Sequence, residues 1–173
     1  MVKKRPVQTI SRKVLDRKEL GFFLAGFVEG EGSFNVSLRK KSDYKVNWQV
    51  VLSFNVSQKD PATLYLLKKE LDCGIIKTRK DGLRSLDITN SQELLEKVIP
   101  YFIKYPLLSK SKIENFNIFY KISKLVQSGE HRNIEGLKKI LILREILNKG
   151  KGRTRKYGYE DIFPKEKSSE TIR

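Results

Sequence analysis

Apolar and polar residues alternate strictly from Ser33 onward. Phe34, Val36 and Leu38 share one parity, and Ser33, Asn35, Ser37, Arg39 and Lys41 the other, the period-two pattern of a half-buried strand. A turn around 40–43 follows. Alternation resumes over 44–57, with Trp48, Val50, Leu52, Phe54 and Val56 inward and Lys45, Asn47, Gln49, Val51, Ser53 and Asn55 outward. Ahead of these strands, from about Lys18, apolar residues run through Phe22, Phe23, Ala25, Gly26, Phe27 and Val28 and predict a helix. Asp60-Pro61 reads as N-cap and first helical position, followed by Leu64, Leu67 and Leu71 at helical spacing.

Two further strands, 75–80 and 83–89, flank Asp81-Gly82, a two-residue hairpin signal. Lys77, Arg79, Ser85 and Asp87 fall on their outer face, Leu86 and Ile88 on the inner one. Arg84 has inner parity and belongs at the strand's open end. Asn90 with Glu93 resembles a capping box opening a third helix with Leu94, Leu95, Val98 and Ile99 as its stripe, and Pro100 and Pro106 break the chain beyond that stripe. A helix with Ile113, Phe116, Phe119, Tyr120 and Ile122 comes next, then a last one over about 133–148.

This order predicts an α+β body over 18–148. Before it, 1–17 is basic and reads as an arm following a nucleic-acid backbone or as a disordered start. After it, 149–173 is a basic tail whose Tyr157, Tyr159, Ile162 and Phe163 are placed to dock. The 173 residues carry 36 Lys+Arg against 20 Asp+Glu, a net charge of +16, which calls for a polyanionic partner. Membrane is the weaker candidate, because no apolar run approaches bilayer length. On the outer strand face Glu is absent and Asn, Gln, Ser and Arg prevail, the types that read base edges, so base readout stands ahead of plain solvation.

Cys73 and His131 are the only residues of their kinds. That removes an intramolecular disulfide and thiolate- or imidazole-rich zinc sites, leaves a Ser-His-Asp triad only His131 to use, and fits a reducing compartment. His131, in the polar stretch 128–132, is expected to be a solvated loop residue. The Lys-, Ile- and Asn-rich make-up hints at an AT-rich genome such as a chloroplast's or mitochondrion's.

Catalysis is left to carboxylates and metal. Gly26 and Gly30 stack on one helix face and let a second helix approach closely. Glu29 and Glu31 close that helix, where the macrodipole is already negative, so a cation is the natural compensation. The plain alternative is a glycine C-cap with solvated glutamates.

Leu24-Ala25-Gly26-Phe27-Val28-Glu29-Gly30-Glu31-Gly32 resembles the signature of the LAGLIDADG homing endonucleases, and the resemblance extends over roughly 19–148. It implies the αββαββα domain, with a curved four-stranded antiparallel DNA-binding sheet and extra C-terminal helices. It implies a site-specific nuclease cutting both strands of a long pseudo-palindromic site to leave short 3′ overhangs. Glu31, with the Gly30 carbonyl, would bind catalytic Mg²⁺; Mn²⁺ would substitute, and Ca²⁺ would bind without supporting cleavage. Lys110, with Lys112 as neighbour, would lie beside the cleaved phosphates, and Gln58 would position the attacking water. The accessory Arg of some members has no counterpart after Lys59.

One copy of the signature implies a homodimer joined through Phe22, Ala25, Gly26, Glu29 and Gly30. On double-stranded DNA the outer face would contribute Ser33, Asn35, Ser37, Arg39, Lys41, Lys45, Asn47, Gln49, Val51, Asn55, Lys77, Arg79, Ser85 and Asp87. The same fold also serves intron-RNA-binding maturases and catalytically inactive DNA-binding proteins. These remain the alternatives.

Overall fold

The computed structural model describes residues 15–149 and 155–163. Most of the basic arm and much of the tail read from the sequence lie outside them. Chain order is α1 (Arg17–Glu31), β1 (Gly32–Lys40), β2 (Trp48–Gln58), α2 (Ala62–Leu71), β3 (Ile75–Thr78), β4 (Arg84–Ile88), α3 (Ser91–Glu93), a π turn (Leu94–Val98), α4 (Ile99–Lys104), α5 (Lys110–Gln127), a 3-10 turn (Glu130–Arg132) and α6 (Ile134–Ile146). The strands form one antiparallel sheet in the order β1-β2-β4-β3. Helices cover one face of it. Phe34 lies at the centre of the core, its ring 5.2 to 5.7 Å from those of Phe54, Phe102, Phe116 and Phe119. No helix among the described residues is long and apolar enough to cross a membrane.

Asp16 starts α1 with a capping box: it accepts from Lys18 and Glu19 N–H, and Glu19 reaches back to its backbone. Asp60 accepts from Ala62 N–H at 2.9 Å, as expected of a cap, although the regular helix begins one residue later than the sequence suggested.

Four expectations need correction. Pro100 does not break its helix. Residues 91–104 stay helical, and the turn just before Pro100 widens to π, with Ile99 N–H bonding Leu94 C=O. That wider turn accommodates a residue with no N–H to give and a ring that crowds the preceding turn. The first hairpin loop is longer than expected: Lys41 to Asn47 form turns, with Lys41 N–H bonded to Asn47 C=O and Asn47 at φ 58°. Lys45 and Asn47 are therefore loop residues and not strand residues.

The second hairpin is not a two-residue turn either. Arg79 N–H bonds Leu83 C=O, Gly82 N–H bonds Arg79 C=O, and Gly82 takes φ 79°. This three-residue loop needs glycine at its left-handed position, and it takes Arg79 off β3. Finally, His131 is half-buried. Burial and then Arg132 pull its pKa down, partly offset by the nearby Val126 backbone.

β1 is an edge strand, and α6 guards it. The buried Arg144 donates from Nε to Val36 C=O at 2.9 Å, and Asn148 Nδ2 donates to Phe34 C=O at 2.7 Å. Carbonyls that would otherwise invite another strand are thereby satisfied.

Candidate functional site

Two surfaces meet where α1 hands over to β1. The first is the outer side of α1. Phe22 and Phe23 are 45% and 49% exposed, and Gly26 and Gly30 lie open beside them. A Cβ on either glycine would meet nothing within 4 Å. Glycine costs a helix interior about 1 kcal/mol relative to alanine, and nothing among the described residues accounts for that cost. Gly21 and Gly32 are different: a Cβ on Gly21 would enter the Tyr105 ring, and one on Gly32 would sit 2.5 Å from Val28 Cγ1.

Two residues expected at a helix-pair surface are engaged within the chain instead. Ala25 is 2% exposed and belongs to the core with Leu24 and Val28. α1 is apolar on two sides, so periodicity alone could not tell which side the chain itself covers. Glu29 turns toward the start of α5, where its Oε1 accepts from Leu108 and Ser109 N–H. These bonds, the Ser109 backbone foremost and against some desolvation, hold its carboxyl below the usual range.

Glu31 ends α1, exposed, and among the described residues it makes no hydrogen bond or ion pair. Beyond it Gly32 caps the helix in extended conformation, its N–H on Val28 C=O. The half-buried Lys112 places its ammonium on Gly32 C=O. Burial lowers the Lys112 pKa, while Glu29 and Glu31 oppose that shift. Of the two candidate lysines, Lys112 is thus the one seated at the helix end. Lys110 stands exposed as the first residue of α5. Gln58 ends β2, partly exposed, opposite Arg84, whose Nη1 donates to Lys59 C=O.

Among the described residues no group of three or more His, Cys, Asp and Glu side chains is placed to hold a metal. What one chain offers is the Glu31 carboxylate and the last carbonyls of α1, Gly30 among them, which have no intrahelical donor. These are hard oxygen donors suited to Mg²⁺ or Ca²⁺, and they amount to part of a coordination shell.

The second surface is the outer face of the sheet. Register places Ser33, Asn35, Ser37 and Arg39 on β1 opposite Asn55, Ser53, Val51 and Gln49 on β2, with Asp87 beside Asn55 and Lys77 beside Ser85. The face is polar and carries no aromatic ring. Lys41, Lys45, Asn47 and Arg79 cluster at the two hairpin tips. Asn35 and Ser85 are 8% and 5% exposed, so neither is open to a partner as the sequence suggested. Asn35 is enclosed because its amide bonds Ser33, Asn55 and Asn148.

The model of the LAGLIDADG endonuclease family matches residues 24–123. A "probable intron-encoded endonuclease 2" of Neurospora crassa is 36% identical over 149 residues, which are 82% of this chain and 32% of that protein. The chain therefore spans about a third of that curated relative's length. The crystal structure of the homing endonuclease I-TnaI superposes with a TM-score of 0.70 at 35% identity, covering 75% of this chain and 88% of that one. I-LtrWI, a LAGLIDADG homing endonuclease bound to target DNA, gives 0.76 at 30% identity, covering 84% of this chain and 49% of that one.

Proposed function

The chain belongs to the LAGLIDADG endonuclease family, and on that premise we propose that it is a site-specific, Mg²⁺-dependent endonuclease that cuts double-stranded DNA as a homodimer. The observation that carries this reading is Glu31: an exposed carboxylate with no hydrogen bond or ion pair among the described residues, at the end of a helix whose glycine face has none of them against it.

Pairing α1 with α1 of a second copy would cover that face and bring the two Glu31 residues close to the two-fold axis. Each sheet would then lie along the major groove of one half-site, which makes the target pseudo-palindromic. The polar face without aromatic platforms favours duplex DNA over single-stranded RNA. Glu31 and the Gly30 carbonyl would hold the divalent ion. When bound, that ion supplies Lewis acidity at the scissile phosphate and makes water a better nucleophile. Lys112 and Lys110 would offset charge on the pentavalent phosphorus, Gln58 would orient the attacking water, and cleavage across the minor groove would leave short 3′ overhangs.

The test is cleavage of a randomised duplex library in Mg²⁺, with Glu31→Gln in parallel and the cut ends sequenced. Two-fold-related sites with 3′ overhangs, lost in the variant while DNA binding persists, are expected. Cleavage that survives Glu31→Gln would remove Glu31 from the mechanism.

A further inference from the structure

A chain of hydrogen bonds crosses all four strands on the outer face of the sheet. The Lys77 ammonium pairs with Asp87 Oδ2 at 3.0 Å, and Asn55 Nδ2 donates to Asp87 Oδ1 at 2.7 Å. Asn35 Nδ2 donates to Asn55 Oδ1 at 3.0 Å, and Ser33 Oγ donates to Asn35 Oδ1 at 3.0 Å. The direction of an amide is decided by its partners, and here Asp87 decides it. A carboxylate only accepts, so Asp87 forces Asn55 to turn its nitrogen toward β4 and its oxygen toward β1. Asn35 must then present its own nitrogen to Asn55. From the opposite side, Asn148 Nδ2 is committed to the Phe34 carbonyl and reaches Asn35 Oδ1 at 3.4 Å, a contact that agrees with this assignment but is too long to fix it without Asp87. Flipping any one amide would set like groups against each other.

This order leaves a defined remainder. An amide nitrogen carries two hydrogens and an amide oxygen two lone pairs. In Asn55 the ladder uses one of each. One donor on the β4 side and one acceptor on the β1 side stay available on a half-buried side chain. Adenine presents one acceptor, N7, and one donor, N6, in the major groove. Guanine presents two acceptors there, and the pyrimidines no such pair.

We propose that Asn55 specifies an adenine in the DNA site, on one strand only, and that Asp87 is the positioning residue that fixes which way Asn55 reads. The proposal rests on the DNA-cleaving reading above. It assigns Asp87 to the protein's own ladder instead of to a base, and it assigns Asn35 and Asn148 to holding the far end.

The experiment is a binding selection from randomised duplexes in Ca²⁺, run with the wild-type protein, Asn55→Ala, Asp87→Asn and, as a control off the ladder, Gln49→Ala. A bidentate amide–adenine pair discriminates roughly five- to hundredfold. Asn55→Ala is expected to erase one adenine column per half-site. Asp87→Asn, which lets the amide point either way, should reduce the same column to under about threefold while affinity for unselected duplex does not fall, because the substitution removes a negative charge and releases Lys77. Gln49→Ala should leave that column intact.

Enrichment in which the column lost by Asn55→Ala is not adenine, or in which Asp87→Asn keeps the full preference, overturns the ladder and leaves the DNA reading standing. A wild-type protein that enriches no sequence overturns both. Should Asp87→Asn not fold, the free wild-type protein decides. Slow exchange of the Asn55 side-chain amide protons with solvent, measured by NMR, supports the ladder, and exchange as fast as in a free asparagine overturns it.

Discussion

Glu29 on α1 accepts the backbone N–H of Ser109 at 2.7 Å, and the same oxygen takes Leu108 N–H at 2.8 Å. Ser109 is the N-cap of α5, yet its side chain makes no capping bond. A carboxylate from another helix instead binds the N-cap backbone N–H and the one before it, and so meets the positive end of the α5 dipole. The register of α5 against α1, and with it the seat of Lys112 on Gly32, follows from this contact. Glu29→Ala should cost about 1 kcal/mol by denaturant midpoint, the usual size of a lost cap. It should lower the single-turnover cleavage rate more than DNA affinity. Glu29→Gln, which keeps an accepting oxygen, should recover most of the stability. Equal losses in rate and affinity would contradict a role in placing Lys112.

Arg144 is a buried charge whose guanidinium spans two carbonyls, Nε to Val36 at 2.9 Å and Nη1 to Tyr157 at 2.8 Å. It ties the edge of β1 to the segment that packs Tyr157 on Trp48, ring centroids 4.9 Å apart. Arg144→Ala leaves two carbonyls and a void, and should cost about 3 kcal/mol. Arg144→Lys should restore less than half, because a point ammonium cannot fork to both oxygens. Trp48 is the only tryptophan, so its fluorescence reports the loosening directly. An unchanged emission spectrum in Arg144→Ala would show that the tie does not hold Tyr157.

His131 gives a pH dependence of stability. Burial, then Arg132, set its folded pKa below the ordinary 6.5, with the nearby Val126 backbone opposing. Between the folded value and 6.5 the unfolded chain therefore binds more protons, and stability rises with pH across that window. Melting temperature should start to fall as pH drops through about 6.5 and level off below the folded pKa. His131→Gln should lack this step. The same slope in the variant would assign it to other groups.

His131 also marks where the sequence stopped being legible. Its neighbours in 128–132 are polar, and nothing local announces that the turn folds back on α5 and α6. The strands over 32–40 and 48–58 were readable because one face is buried and the other is not, which is what period two records. The helix end at Glu31 was readable through its signature. Glu29 was not, because its partners are backbone groups about eighty residues away, and backbone carries no sequence signal. The Asp16–Glu19 capping box was present in the sequence as D-x-x-E and announces the start of α1 two residues before the apolar run does.

Gly26 separates what the fold needs from what an assembly needs. A methyl group there meets nothing within 4 Å among the described residues, and alanine is the better helix former. Gly26→Ala should therefore raise the stability of the isolated chain by about 0.5 to 1 kcal/mol. In a helix pair packed through Gly26 and Gly30 the same methyl lies between two backbones, and Gly26→Leu adds four carbons. Sedimentation should show association weakened by alanine and abolished by leucine, while thermal unfolding at concentrations below association shows alanine above wild type. The two signs must be opposite. A substitution that stabilises the chain and leaves a dimer intact would mean that the open glycine face serves some other contact, and the paired placement of Glu31 would fall with it.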